Sequence, residues 1–188
     1  MRLKLKSIVF LLVTTLLTGC VAAVITGAVA GMVYDRRGII TMEADARLFH
    51  LIHKAIVTNR QFSDSRVLVT SFNRVVLLVG QTPTASLRNL AEKIARTTPG
   101  VYRVYNEISV GYPIPLTERS KDSWITSQVR SMLLAKKGLE SGSIRIVTEN
   151  KVVYLMGIVN DQQASLAVDA ARRVNGVSKV VKIFQYIH

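Results

Sequence analysis

The chain has 188 residues, 49% of them hydrophobic and only 6% aromatic, and 25 Lys and Arg against 12 Asp and Glu give it a formal charge of +13. With a single cysteine it can build no disulfide framework. So strong a cation attracts nucleic acid, anionic lipid or acidic partners, but no aromatic-studded basic strand of the kind that stacks bases is present, which argues against nucleic acid.

In chain order, Arg2, Lys4 and Lys6 form a basic start, Ile8 to Leu17 an apolar run, and small residues follow, the three parts of a secretory signal over residues 1–19. Leu17-Thr18-Gly19-Cys20 resembles the bacterial lipobox, which implies that Cys20 becomes the first mature residue and carries a diacylglycerol on sulfur and an acyl chain on its amino group. Three chains at ~0.8 kcal/mol per buried CH₂ would hold a protein on a bilayer essentially permanently. An uncleaved transmembrane helix over residues 8–33 is the alternative, since Val21 to Val33 is also apolar. Val21, rather than an aspartate, follows the cysteine, which by analogy with enteric lipoproteins points to the outer membrane. Residues 20–43 then read as a lipidated start and tether, in which Gly27 to Gly31 also fits a small-xxx-small contact.

Beyond the tether the chain repeats itself. "NRVVLLVGQ" at 73–81 returns 77 residues later as "NKVVYLMGI" at 150–158, and Asp45 falls on Asp122 at the same offset. With one residue deleted, Ala91, Arg96 and Gly100-Val101 fall on Ala167, Arg172 and Gly176-Val177. The periodicity of the first copy, residues 44–111, predicts a helix at 45–58, strands at 66–71 and 74–80, a helix at 83–97 opened by Pro83, and a strand at 101–110. Residues 112–117, with two prolines, read as a short stiff linker. In the second copy, residues 118–188, Ile125, Val129, Met132 and Leu133 mark the inward stripe of a helix capped by Asp122 or Ser123 and ending near Gly138. Strand 143–148, a turn at Glu149-Asn150-Lys151, a second strand "VVYLMG", a helix at 161–174 and a last strand from Val177 follow. The fold class is α+β: two α-β-β-α-β units, each a three-stranded mixed sheet with two helices on one face. Each unit is expected to close its own sheet, so that residues 112–188 fold alone.

An α-β-β-α-β unit with V-x-L-x-G closing its hairpin and a Gly-Val step before its last strand resembles the BON domain (bacterial OsmY and nodulation). Two such units behind a lipobox, with "DRRGIITMEAD" before the first and "DSWITSQVRSMLL" opening the second, are similar to dual-BON outer-membrane lipoproteins. The resemblance implies binding of anionic phospholipid such as phosphatidylglycerol, enrichment at division sites, and support of envelope integrity and outer-membrane assembly, with assembly machinery or division-site components as partners. It also implies an outer-membrane location facing the periplasm.

The helical register suggests which face would meet lipid. If Ile125, Val129 and Leu133 point inward, then Trp124, Ser127, Gln128 and Ser131 point elsewhere, with Arg130, Leu134, Lys136 and Lys137 on the same outer side. An indole at a membrane interface keeps its ring in the acyl boundary and its N–H among headgroups, which basic neighbours attract. Trp124 packed over the sheet or against the first copy is the competing reading, and Arg47 at the equivalent position shows that the fold does not need the indole. His50 and His53 could pair as metal ligands, but nothing completes a set, so a surface pair is the plainer account and neither metal nor cofactor is expected. No nucleophile elbow, P-loop or paired acidic site is present, and the protein is not expected to be an enzyme. A periplasmic chaperone or assembly factor that binds outer-membrane proteins through sheet edges is the alternative to lipid binding.

Overall fold

The computed structural model describes residues 35–187. The signal segment, Cys20 and the tether up to residue 34 lie outside the described residues. The first copy runs α1 (Ile39–Val57), a 3₁₀ turn (Arg60–Phe62), β1 (Arg66–Phe72), β2 (Val75–Thr82), α2 (Ala85–Thr97) and β3 (Arg103–Val110). The second runs α3 (Leu116–Ala135), a 3₁₀ turn (Ser141–Ser143), β4 (Ile144–Glu149), β5 (Val152–Val159), α4 (Asp161–Arg172) and β6 (Lys179–Tyr186). Both copies are therefore α-β-β-α-β, as the periodicity predicts. In each, the hairpin is antiparallel and the crossover returns the third strand parallel to the second, giving the orders β1-β2-β3 and β4-β5-β6.

Two helix starts differ from expectation. α1 begins at Ile39 rather than at residue 45, within the stretch assigned to the tether, and α3 begins at Leu116 within the predicted linker. Neither start has a side-chain cap, and Asp122 and Ser123 lie well inside α3. Asp122 instead reaches the hairpin turn. Its carboxylate accepts the backbone N–H groups of Asn150 and Lys151 at 2.7 and 2.8 Å, and Asp45 does the same for Asn73 and Arg74 at 2.7 and 2.8 Å. These turns hold two non-glycine residues at positive φ, 49° and 61° in the first copy and 48° and 64° in the second, the twist that a two-residue hairpin requires. The buried carboxylate offsets that strain by satisfying both exposed donors. Pro83 likewise precedes the cap of α2, which is Thr84, whereas α4 carries a full capping box between Asn160 and Gln163.

The glycine that closes V-x-L-x-G has a steric cause. Gly80 sits at φ 123°, and a Cβ there would come within 1.9 Å of the Arg66 carbonyl oxygen on β1.

Each sheet packs one face on its own helices. In the first copy Ile52 and Ile56 of α1 and Ala91 and Ala95 of α2 meet Val76 and Leu78 of β2; in the second Ile125, Val129 and Leu133 meet Val153 and Leu155. Met132, placed on this stripe by the sequence, is 41% exposed, because the inward row runs through Asp122, Ile125, Val129 and Leu133. The opposite faces of the two sheets bury a third core together: Phe72, Val75, Leu77 and Val79 against Tyr154, Met156 and Ile183. β2 is buried at every position for this reason, and its unbroken apolar run is the pattern of a strand covered on both sides. Each copy does close its own three-stranded sheet over its own helix-side core, as expected, but the other face of each sheet is covered by its neighbour.

Polar side chains fasten the rim of this shared core. Glu149 accepts from Arg66 at 2.6 Å and from Gln81 at 2.9 Å, and Gln81 in turn accepts the Ile114 N–H of the connection at 3.1 Å. Asn73 donates to Gln185 from the other copy. Glu149, read as a turn residue from sequence, is the last residue of β4 and is buried. Two consecutive arginines ahead of α1 also straddle the seam. Arg36 pairs with Glu140 at 2.7 Å, and its backbone N–H reaches Ser143 Oγ at 3.3 Å. Arg37, buried, pairs with Asp45 at 2.8 Å and lies 4.1 Å from the centroid of the Phe72 ring.

Candidate functional site

α3 turns Asp122, Ile125, Val129 and Leu133 toward the sheet, and this register leaves Trp124 at 65% exposure and Leu134 at 68%. Ser127, Arg130, Ser131 and Lys137 are exposed as well, while Gln128 and Lys136 are half-buried. All eight residues singled out in the sequence thus lie on α3 or just past its end. The indole is solvent-facing rather than packed on the sheet.

The surroundings of the indole have a definite chemistry. Ser120, Ser123, Ser127 and Ser131 each donate their hydroxyl to the carbonyl four residues back, at 3.0 to 3.1 Å. With those donors used inside the helix, the outer face asks little of water and costs less to dehydrate than free hydroxyls would. Thr126 faces inward instead and pairs with Thr148 at 2.7 Å.

Charge on this side is basic. From Ser123 to Leu139 the only charged residues are Arg130, Lys136 and Lys137. The nearest carboxylates in sequence are engaged. Glu118 accepts from Lys121 at 2.6 Å, a hydrogen bond that holds its carboxyl below the usual range, and Asp122 is buried under the hairpin turn. Glu140 is likewise held below the usual range by its hydrogen bond from Arg36. The exposed ring and Leu134 share α3 and its end with Arg130, Lys136 and Lys137, for which no ion pair forms among the described residues, a combination that suits an interface between water and anionic headgroups.

The first copy lacks this chemistry. Arg47, in the place of Trp124, is exposed and pairs with Glu43 at 3.4 Å. The histidines of α1 serve as packing for a ring: Phe49 stacks on His53 at 5.3 Å and meets His50 edge-on at 5.1 Å. Among the described residues no group of three or more His, Cys, Asp or Glu could hold a metal ion, and no helix is long and apolar enough to cross a membrane.

Sequence reasoning missed two features. The carboxylates that cap the hairpin turns left a signal, the shared offset of Asp45 and Asp122, but Asp122 was read as a helix cap and Asp45 was given no role. The Glu149 cluster left none, because its counterpart in the first copy is Phe72 and no repeat marks it.

Two small mixed-sheet α-β-β-α-β domains are joined here through their open faces, with a tryptophan-bearing basic helix on the second. The chain belongs to the BON domain family, which matches residues 44–112 and 121–187. It is 38% identical to the outer membrane lipoprotein DolP of Haemophilus influenzae, over 97% of each chain. It is also 40% identical to a 21 kDa hemolysin of Actinobacillus pleuropneumoniae, over 66% of this chain and 64% of that one. A more distant similarity, 26% identity over 72% of this chain and 69% of the other, links it to osmotically-inducible protein Y of Escherichia coli. This homology supports an outer membrane lipoprotein built of BON domains and points to a non-enzymatic role in the envelope.

Proposed function

We propose that the protein is anchored through lipidated Cys20 in the outer membrane, faces the periplasm, and binds anionic phospholipid through the outer face of α3. In this role it supports envelope integrity, outer-membrane assembly and cell division. The observation that carries the reading is Trp124, 65% exposed on a helix whose apolar needs are already met by Ile125, Val129 and Leu133. A ring left in water without a folding role gains by entering an interface, where full burial of a large apolar side chain is worth ~1.5 to 3 kcal/mol. Arg130, Lys136 and Lys137 add about 1 kcal/mol each near an anionic surface.

Trp124 is the only tryptophan, so its fluorescence reports the event directly. Emission from a fragment beginning at residue 34 should shift to the blue with phosphatidylglycerol vesicles, hardly change with phosphatidylcholine, and return with salt, since screening shortens the reach of the charges to about 8 Å at physiological ionic strength. Trp124→Ala should weaken vesicle binding at least about tenfold, the equivalent of ~1.4 kcal/mol, with the fold intact. Unchanged emission on anionic vesicles would sink the proposal.

A further inference from the structure

We infer that the first domain carries a second surface for the anionic bilayer, at the end where α1 begins, separate from the Trp124 face. The inference rests on the proposal that the chain is held on a membrane by Cys20. The start of α1 bears two of the most exposed large apolar side chains among the described residues, Ile39 at 86% and Ile40 at 82%. Ile40 lines a shallow groove with Arg74 and Gly100; Arg74 and Gly100 also border a second groove that contains Tyr102 and Arg103. The surface is therefore continuous across the hairpin turn. Tyr102 is 73% exposed, with the Arg103 guanidinium 5.8 Å from its ring centroid.

The duplication supplies an internal control. Ile40 corresponds to Thr117 and Tyr102 to Ser178 in the second copy, so the same scaffold folds with small polar residues at these two places, whereas Ile39 corresponds to Leu116 and is apolar in both copies. The size and exposure of Ile40 and Tyr102 in the first copy answer no demand of the fold.

Charge selects the occupant. Glu43, the one carboxylate lining the two grooves, is paired with Arg47, whereas neither Arg74 nor Arg103 forms an ion pair among the described residues. Aliphatic and aromatic side chains among unpaired arginines match a surface of anionic headgroups over acyl chains. Chain length permits the contact: the 19 residues from Cys20 to Ile39 reach at most about 65 Å even when fully extended.

The test uses the full lipidated chain. With Cys20 acylated on sulfur, a cysteine placed at Tyr102, Trp124 or Gln162 is the only free thiol and accepts an environment-sensitive fluorophore. Each labelled protein is reconstituted into phosphatidylglycerol-containing vesicles or into phosphatidylcholine alone. The label at 102 should shift to the blue and be quenched by brominated lipid several-fold more in the anionic vesicles, while the label at 162, exposed on α4, stays aqueous. Addition of Arg74→Gln and Arg103→Gln should abolish the difference. A label at 102 that remains aqueous while that at 124 is quenched overturns this inference and leaves the second-domain reading standing; the reverse result upholds it and removes the other. Equal quenching in both lipids, or a label at 102 already shielded in detergent, also overturns it, the latter in favour of a protein segment covering the patch.

Discussion

Glu149, at the end of β4, and Arg66, at the start of β1, meet at 2.6 Å at the rim of the shared core, with the Glu149 side chain only 5% exposed and the Arg66 side chain 20%. Removing one partner of a buried pair leaves the other charge stranded, at ~3 to 5 kcal/mol. Glu149→Ala should therefore destabilise the protein by about 3 kcal/mol in urea titration, the lower end because Arg66 retains some water. The double change Arg66→Met with Glu149→Leu should recover most of that. A single-mutant loss within ~1 kcal/mol, the range of an exposed pair, would show that solvent already satisfies Arg66.

The carboxylates beneath the hairpin turns should be separable from helix propensity. Asp122→Ala strips the acceptor from two N–H groups at once and should cost roughly 1 to 3 kcal/mol. Exchange of the Asn150 and Lys151 amides should accelerate more than that of any amide in α3. Were α3 to fray instead, Asp122 would be acting on the helix after all. Asp45→Ala should be the more damaging change, since Asp45 also holds Ser71 and Arg37, each at 2.8 Å.

Division of the chain exposes the third core. The isolated 112–188 segment presents Tyr154, Met156 and Ile183 to water, and it is expected to self-associate through that face, detectable by sedimentation. Tyr154 provides a second readout. In the whole protein burial, and then the nearby Glu107 and Glu149 charges, push its phenol up to about 12. In the dilute segment it should titrate close to the ordinary value of ~10. A monomeric segment that retains the high value would mean that one copy buries this face unaided.

Acid should loosen the first domain through Glu92. Its carboxyl is held below the usual range by hydrogen bonds from Asn106 first and Arg96 second. A depressed value contributes stability that is present above the unfolded pKa of ~4.3 and is lost as pH falls through the folded value. Thermal midpoints should therefore drop on going from pH 6 to 3, and Glu92→Gln should flatten that part of the profile. An identical profile for the variant would assign the acid sensitivity elsewhere.

How much of this was legible in the chain depends on whether a feature obeys a local rule. The α-β-β-α-β order was, because amphipathic periods and turn residues are properties of short windows, and the second copy tests each assignment made in the first. The exposure of Trp124 was, since it follows from the register of Ile125, Val129 and Leu133. The starts of α1 and α3 were not, because neither Gly38 nor Pro115 offers a side-chain cap and the aspartates nearby are committed to the turns. The face-to-face packing of the sheets was hidden for a different reason. A continuous apolar strand announces cover on both sides but does not say what provides it, and the residues that fasten this contact, Arg66, Gln81 and Glu149, have no repeated counterparts.

Arg36 and Arg37 grip different halves of the molecule: one holds Glu140 and Ser143, the other Asp45 and Phe72. Tension applied to the chain at residue 36 would therefore reach both halves, through Arg36 to Glu140 in the second and through Arg37 to Asp45 in the first.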